Sequence, residues 1–213
     1  MISGKPNEKD YFGSGRREML PFVPLSVKRL LDIGCGAGTF GANIKARQNC
    51  EVWGIEMDAK QGQEASRILD KVIIGDAVGK LDEIPPSFFD CIVCNDLLEH
   101  LVDPFSFLKR LRRPMVSEGI LVASVPNVRY YRVLKDLIIH GDWKYKESGV
   151  LDIDHLRFFT RKSMIRMFTD GGWKIKTVTG INPTSSRTFR IMNLLLFGRL
   201  GDVCFRQFAI QAE

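Results

Sequence analysis

The stretch "LLDIGCGAGTFG", Leu30 to Gly41, decides how this chain is read. An apolar run of strand length gives way to a glycine turn, and Gly36, Gly38 and Gly41 spell G-x-G-x-x-G. In the dinucleotide-binding turn of that spelling, the first glycine follows its strand at once and apolar residues alternate before it. If Gly36 opens the motif, the residues two and four before it are Gly34 and Asp32, which suit no buried strand face. If Gly34 opens it, the third glycine should stand where the chain has Thr39. The frame that fits is D-x-G-x-G-x-G, with Asp32, Gly34, Gly36 and Gly38. Glycine lets the main chain approach a ligand closely and take unusual dihedrals. A carboxylate at the strand end suits a cationic ligand, whereas a pyrophosphate would gain nothing from it.

Outward from this turn, short apolar runs alternate with longer amphipathic stretches, the pattern of a sheet covered by helices. "VKRLLDI", "CEVWGIE", "KVIIGD", "FDCIVCN" and "GILVASVP" read as strands. Helices are expected over Thr39 to Arg47, from Asp58, from Asp103 and over "RKSMIRMFTDGG". "WKIKTVTG" and "CFRQFAIQAE" follow with no full crossover unit between them, so the sheet should end in an antiparallel pair. The expected fold is α/β, Rossmann-like and doubly wound, with a mostly parallel seven-stranded sheet, an antiparallel last strand and helices on both faces. The 213 residues are expected to form one domain, 1–213, with a substrate-cover segment at about 127–160 and a second insert at about 182–202.

Bulk properties narrow the function. A 45% hydrophobic and 26% charged composition is ordinary for a globular chain. The charged amino terminus lacks a secretory core, and "IMNLLLFG" falls far short of the ~20 residues of a membrane span. A cytoplasmic protein is therefore expected. Cys91 and Cys94 form a C-x-x-C, but on a strand residues three apart face opposite ways, so both read as core residues rather than metal ligands. The net charge of +6 invites a polyanionic partner. No dense Lys/Arg block with interleaved aromatics accompanies it, and nucleic acid is not favoured.

The D-x-G-x-G-x-G turn resembles motif I of class I S-adenosylmethionine-dependent methyltransferases, and the likeness continues along the chain from about 29 to 180. It implies S-adenosylmethionine as cofactor, held by Asp32, Gly34, Cys35, Gly36 and Gly38. Glu56, at the tip of strand two and about 20 residues on, would take the ribose hydroxyls. Met57 would pack on adenine, Asp76 and Ala77 would contact its amino group, and Asn95 and Leu98 in "CNDLLEHL" would lie near the methionine end. The stretch Asn95-Asp96-Leu97-Leu98 departs from the D-P-P-Y of nucleobase and glutamine amino methylases, and Cys94 lacks the proline of cytosine-C5 methylases.

Between Val125 and Thr160, V-P-N, G-D-W, G-V-L-D and D-H-L-R-F-F-T are similar to a bacterial subgroup linked with glycan and small-molecule pathways. The expected reaction is methyl transfer to oxygen or nitrogen of a small molecule or glycan precursor. An RNA methyltransferase and a non-catalytic cofactor-binding module are the alternatives. His155 is the first candidate base, because imidazole titrates near neutrality, with Asp152 or Asp154 to orient it and His100 as second choice. Tyr130, Tyr131, Trp143 and Arg157 are candidate substrate contacts, the aromatics otherwise serving to anchor the segment. Glu99 and His100 supply only two donors, so no metal is expected. A homodimer is left open.

Overall fold

The computed structural model describes residues 15–186, 189, 193–194, 197–198 and 200–213. Much of the expected insert at 182–202 therefore lies outside the described residues.

Seven strands form one sheet: β1 (Arg29–Ile33), β2 (Glu51–Glu56), β3 (Lys71–Ile74), β4 (Phe89–Asn95), β5 (Met115–Pro126), β6 (Ile175–Pro183) and β7 (Phe205–Ala212). Their order is β3-β2-β1-β4-β5-β7-β6. The pairs from β3 across to β5 are parallel, whereas β7 runs antiparallel to both β5 and β6. The seven strands and the antiparallel ending read from the sequence are all present.

The central strands are near-continuous apolar runs because both faces of the sheet are covered. Leu31 and Ile33 of β1 join Ile92 and Cys94 of β4 in one core, while Leu30, Cys91 and Val93 point into the other. Cys91 and Cys94 thus lie wholly buried on opposite faces, as free thiols. Helices α1 (Thr39–Arg47) and α2 (Ala59–Ala65) cover the second face through Phe40, Ile44 and Ala65. The first face is closed by α3 (Ala77–Lys80), α4 (Pro104–Arg110) and α6 (Arg161–Asp170), with Phe107, Leu108, Met164, Met167 and Phe168 inside. Trp173, also buried there, donates its indole N–H to the Leu108 carbonyl at 3.0 Å.

Local chemistry sets the helix starts. Asp58 and Asp103 accept backbone N–H bonds from Gln61 and Ser106, and Pro104 occupies the first turn of α4. Thr160 and Ser163 form a reciprocal cap on α6. Gly41, the last glycine of the apparent dinucleotide signature, serves packing: a Cβ there would lie 2.5 Å from Leu69 and 2.9 Å from Val52.

The segment between β5 and α6 contains a helix that the sequence reading did not anticipate, α5 (Tyr131–His140). Val133, Val150 and Leu151 make a small separate core with Tyr130, Trp143 and Phe158 against it. This satellite follows the carboxyl end of β5, and its Val150 lines a cavity with Asp96 and Glu99, which follow the carboxyl end of β4, next to the reversal of strand order between β1 and β4. Open α/β sheets bind ligands at that reversal.

Candidate functional site

Two cavities open at the carboxyl ends of the strands. The smaller, about 290 Å³, is lined by the glycine turn, Glu56 of β2, Asn95 and Asp96 after β4, and Gly15 and Arg16 from the amino-terminal segment. Gly34, Gly36 and Gly38 take φ values of +76°, +53° and +81°, a region that disfavours any side chain. The turn is hung on β2: the Gly34 and Cys35 N–H groups donate to the Ile55 carbonyl at 2.8 and 3.2 Å. Glu56 then clamps it, one carboxylate oxygen accepting from Gly36 N at 2.8 Å and the other from Asp58 N at 2.9 Å. Each oxygen keeps a lone pair for a further donor.

Asp32 is only 2% exposed, and burial, reinforced by the neighbouring Glu56 charge, pushes its carboxyl up to about 7. A cation entering beside it would favour the ionised form. Asn95 presents a second demand, because both its amide atoms are buried without a partner. Burial also pushes the Cys35 and Cys94 thiols up, so neither is a ready nucleophile.

The larger cavity, about 370 Å³, lies beside the first and shares Asp96 with it. Asp96 has a left-handed backbone, φ 48°. Its carboxylate pairs with Arg16 and accepts from Ser124 Oγ at 2.8 Å and Gln207 Nε2 at 2.7 Å. This network makes the wall between the cavities. The rest of the larger cavity is acidic: Glu99, Glu147, Asp152 and Asp154 line it with Asp96, against one permanent cation, Arg206.

Both histidine candidates stand here. His100 and His155 meet edge to face with ring centroids 4.8 Å apart. His100 Nδ1 lies 3.1 Å from the Asp154 carbonyl and His155 Nδ1 lies 3.1 Å from that of Val150. Burial, more than its other neighbours, draws the His155 imidazolium pKa below its ordinary value, which keeps the ring neutral. Glu99, wholly buried, completes the group; burial and then the nearby Asp96 charge raise its carboxyl well above the usual range.

Residues 9–178 match a methyltransferase domain family. The chain belongs to that family. Among curated methyltransferases, it is 24% identical over 198 residues to a ubiquinone biosynthesis O-methyltransferase of Psychrobacter arcticus, covering 88% of this chain and 76% of that one. A Neisseria meningitidis protein of the same name is 27% identical over 161 residues, 72% of this chain and 67% of the relative. A solved S-adenosylmethionine-dependent methyltransferase from Archaeoglobus fulgidus superposes with a TM-score of 0.68 at 20% identity, covering 97% and 94% of the two chains. This is a class I methyltransferase, and S-adenosylmethionine is its cofactor.

The methyltransferase's smaller cavity fits that cofactor. A buried carboxyl near neutrality, a clamped acid with lone pairs to spare and an unpartnered amide could hold an ammonium, a ribose and a polar amino-acid end. A Cβ on Gly36 would meet Gln61 Oε1 at 3.1 Å, so the cradle depends on that glycine.

Of the sequence candidates, Asp32, Gly34, Cys35, Gly36, Glu56 and Asn95 line this cavity together, whereas Gly38, Met57, Asp76, Ala77 and Leu98 do not. Gly38 shapes the turn as the cap of α1. Met57 stands 75% exposed at the rim, and Asp76 caps α3 by accepting from Gly79 N at 2.9 Å. Leu98 is wholly buried core, so its side chain has no surface to offer a cofactor.

Of the substrate candidates, Tyr130, Tyr131, Trp143 and Arg157 line neither cavity. Trp143 packs edge-on to Phe158, Tyr130 packs on Tyr131, and Arg157 donates to the Val102 carbonyl. The aromatics anchor the cover. The sequence reading missed Arg16, Asp96, Ser124, Arg206 and Gln207, whose signal is spatial: they are scattered along the chain from Arg16 to Gln207.

Proposed function

We propose that this methyltransferase methylates a hydroxyl oxygen of a small molecule, bound in the larger cavity with its reacting atom beside the Asp96 wall. The observation that carries the reading is the second, acidic cavity opening next to the cofactor cavity. A chain that only bound S-adenosylmethionine would have no use for that space. With Asp96 tied to Arg16 and Glu99 buried, Glu147, Asp152 and Asp154 still face a single lining arginine, Arg206, which disfavours a phosphate backbone, so the RNA alternative loses support despite the net charge. Relatives named as O-methyltransferases favour oxygen over nitrogen.

The cofactor, when bound, supplies a methyl group activated by its sulfonium. This chain's own residues do the remainder. Glu56, Asn95 and Asp32 hold and orient the cofactor. The cover from Asn127 to Thr160 excludes water. His155 keeps Nε2 unprotonated, since its Nδ1 faces a carbonyl that can only accept, and so can draw a proton from the acceptor hydroxyl.

A methyl-release assay over phenols, sugars, nucleotide sugars and tRNA tests this. The expected result is turnover with a neutral or cationic hydroxyl compound and none with tRNA, and a His155→Ala loss of about 10²–10⁴-fold in kcat. Turnover with tRNA alone would overturn the reading.

A further inference from the structure

We propose that Glu99, His100 and His155 form a binding site for a divalent transition-metal ion, best matched by zinc, whose remaining coordination positions face the larger cavity. The role given to those open positions, holding the acceptor oxygen, rests on the acceptor reading above; the ion site itself does not.

Three independent observations converge. First, one ligand atom from each of the three residues lies within 4.8 Å of the other two. Bonds of about 2.0–2.1 Å in a tetrahedral site need donors about 3.3 Å apart, a contraction that rotation of the exposed His100 ring allows.

Second, the outer contacts of both rings are those of metal-bound histidines. His100 Nδ1 faces the Asp154 carbonyl and His155 Nδ1 that of Val150, each at 3.1 Å. A carbonyl only accepts, so each Nδ1 carries the hydrogen and each Nε2 the lone pair that a cation takes.

Third, Glu99 is wholly buried and neither of its carboxylate oxygens has a hydrogen-bond partner. Its main chain, by contrast, is held firmly: the Glu99 carbonyl accepts from Leu156 N at 2.9 Å and Arg157 N at 3.0 Å. That clamp ties the turn at 98–100 to the segment at 155–157 and brings donors more than fifty residues apart to one point. A carboxylate so placed is incomplete without a cation.

The donor set selects the ion. Two imidazoles and a carboxylate suit zinc and its neighbours, whereas calcium and magnesium prefer oxygen throughout. Two histidines and a glutamate with an open position is a known arrangement for catalytic zinc. The acids Glu147, Asp152 and Asp154 around the cavity concentrate cations there. Asp96 is engaged by Arg16, Ser124 and Gln207 and belongs to the wall.

A zinc ion here would take the acceptor's hydroxyl oxygen as its next ligand and lower its pKa, as it lowers that of bound water to about 7. The O–H bond breaks, the electron pair stays on oxygen, and the proton passes to a carboxylate lining the cavity, Asp152 or Asp154. His155 then serves as a ligand instead of a base.

Calorimetry of the metal-free full chain with zinc chloride tests the site, with S-adenosylmethionine titrated separately into the same samples. One zinc per chain is expected, weakened at least tenfold in Glu99→Gln, His155→Ala and His100→Ala; His100 is exposed, so its variant keeps the fold in question to a minimum. Absence of stoichiometric zinc binding, or an affinity in His100→Ala and His155→Ala equal to that of the unsubstituted chain, would overturn the site. Cofactor affinity unchanged alongside such a failure leaves the methyltransferase reading standing, and zinc binding without cofactor binding would strike that reading and spare the site.

Discussion

The two cavities are neighbours built on different plans. The cofactor cavity is made largely of main chain: a turn with three left-handed glycines, hung by N–H groups on the Ile55 carbonyl and braced by Glu56. The larger cavity, proposed above for the acceptor, is made of side chains from four separated segments, around 96–100, Pro126, 147–155 and 206–207. A backbone cradle tolerates few residue types and so prints a short pattern into the sequence. A cavity walled by distant side chains prints none.

The sharpest way to break this contrast is Gly36→Val. A side chain at φ +53° with Gln61 3.1 Å from its Cβ closes the cradle, so S-adenosylmethionine binding by calorimetry should vanish while zinc binding at Glu99 persists. Loss of both would mean that the cavities are one cooperative unit.

Next in size is the effect of pH on the cofactor cavity. With its carboxyl near 7, Asp32 must release a proton to meet a cationic ligand below that pH. Cofactor affinity should therefore rise about tenfold per pH unit up to neutrality and then level off. Asp32→Asn should flatten the curve, and an unchanged slope in that variant would assign the proton elsewhere. For folding the sign is opposite. Because the buried carboxyl titrates above its unfolded value of 3.8, its contribution to stability falls as pH rises from about 4 to 7.

Glu56→Ala should weaken cofactor affinity by about 1–3 kcal/mol, since a charged hydrogen-bond acceptor and the brace on Gly36 N are lost together. Affinity within error of the parent would remove Glu56 from the cofactor's contacts. The smallest effect belongs to Arg157→Ala. Its guanidinium reaches the Val102 carbonyl, outside both cavities, so stability should move by about 0.5 kcal/mol or less and kcat/KM should stay put. A large loss of kcat/KM would return Arg157 to the substrate.

How much of this was legible in the sequence follows the same line. Asp32 and the glycines at 34, 36 and 38 sit in one short stretch, and strand alternation fixed their frame, so the fold and most of the cofactor cavity could be read directly. Glu56 and Asn95 followed because each ends a recognisable strand. Tyr130 and Trp143 look like a stacking surface in one dimension; in three they pack, partly buried, against Val133, Val150 and Leu151. His155 and His100 were read as rival bases because their 55-residue separation conceals a 4.8 Å approach of their rings. Helix α5 has apolar residues at clear helical spacing, but it stands inside a stretch whose aromatics and charges read as one interruption of the strand–helix alternation.

Arg16 gives the start of the chain an unexpected importance. Through its grip on Asp96 and on Ser124 Oγ at 2.7 Å, the stretch ahead of the first strand roofs the partition between both chambers. A shortened protein beginning at Arg29 would lose this cross-tie together with Met19, Val23 and Val27, which are buried in the core on the second face of the sheet. The same short stretch thus seals the core on one side and fixes the partition on the other.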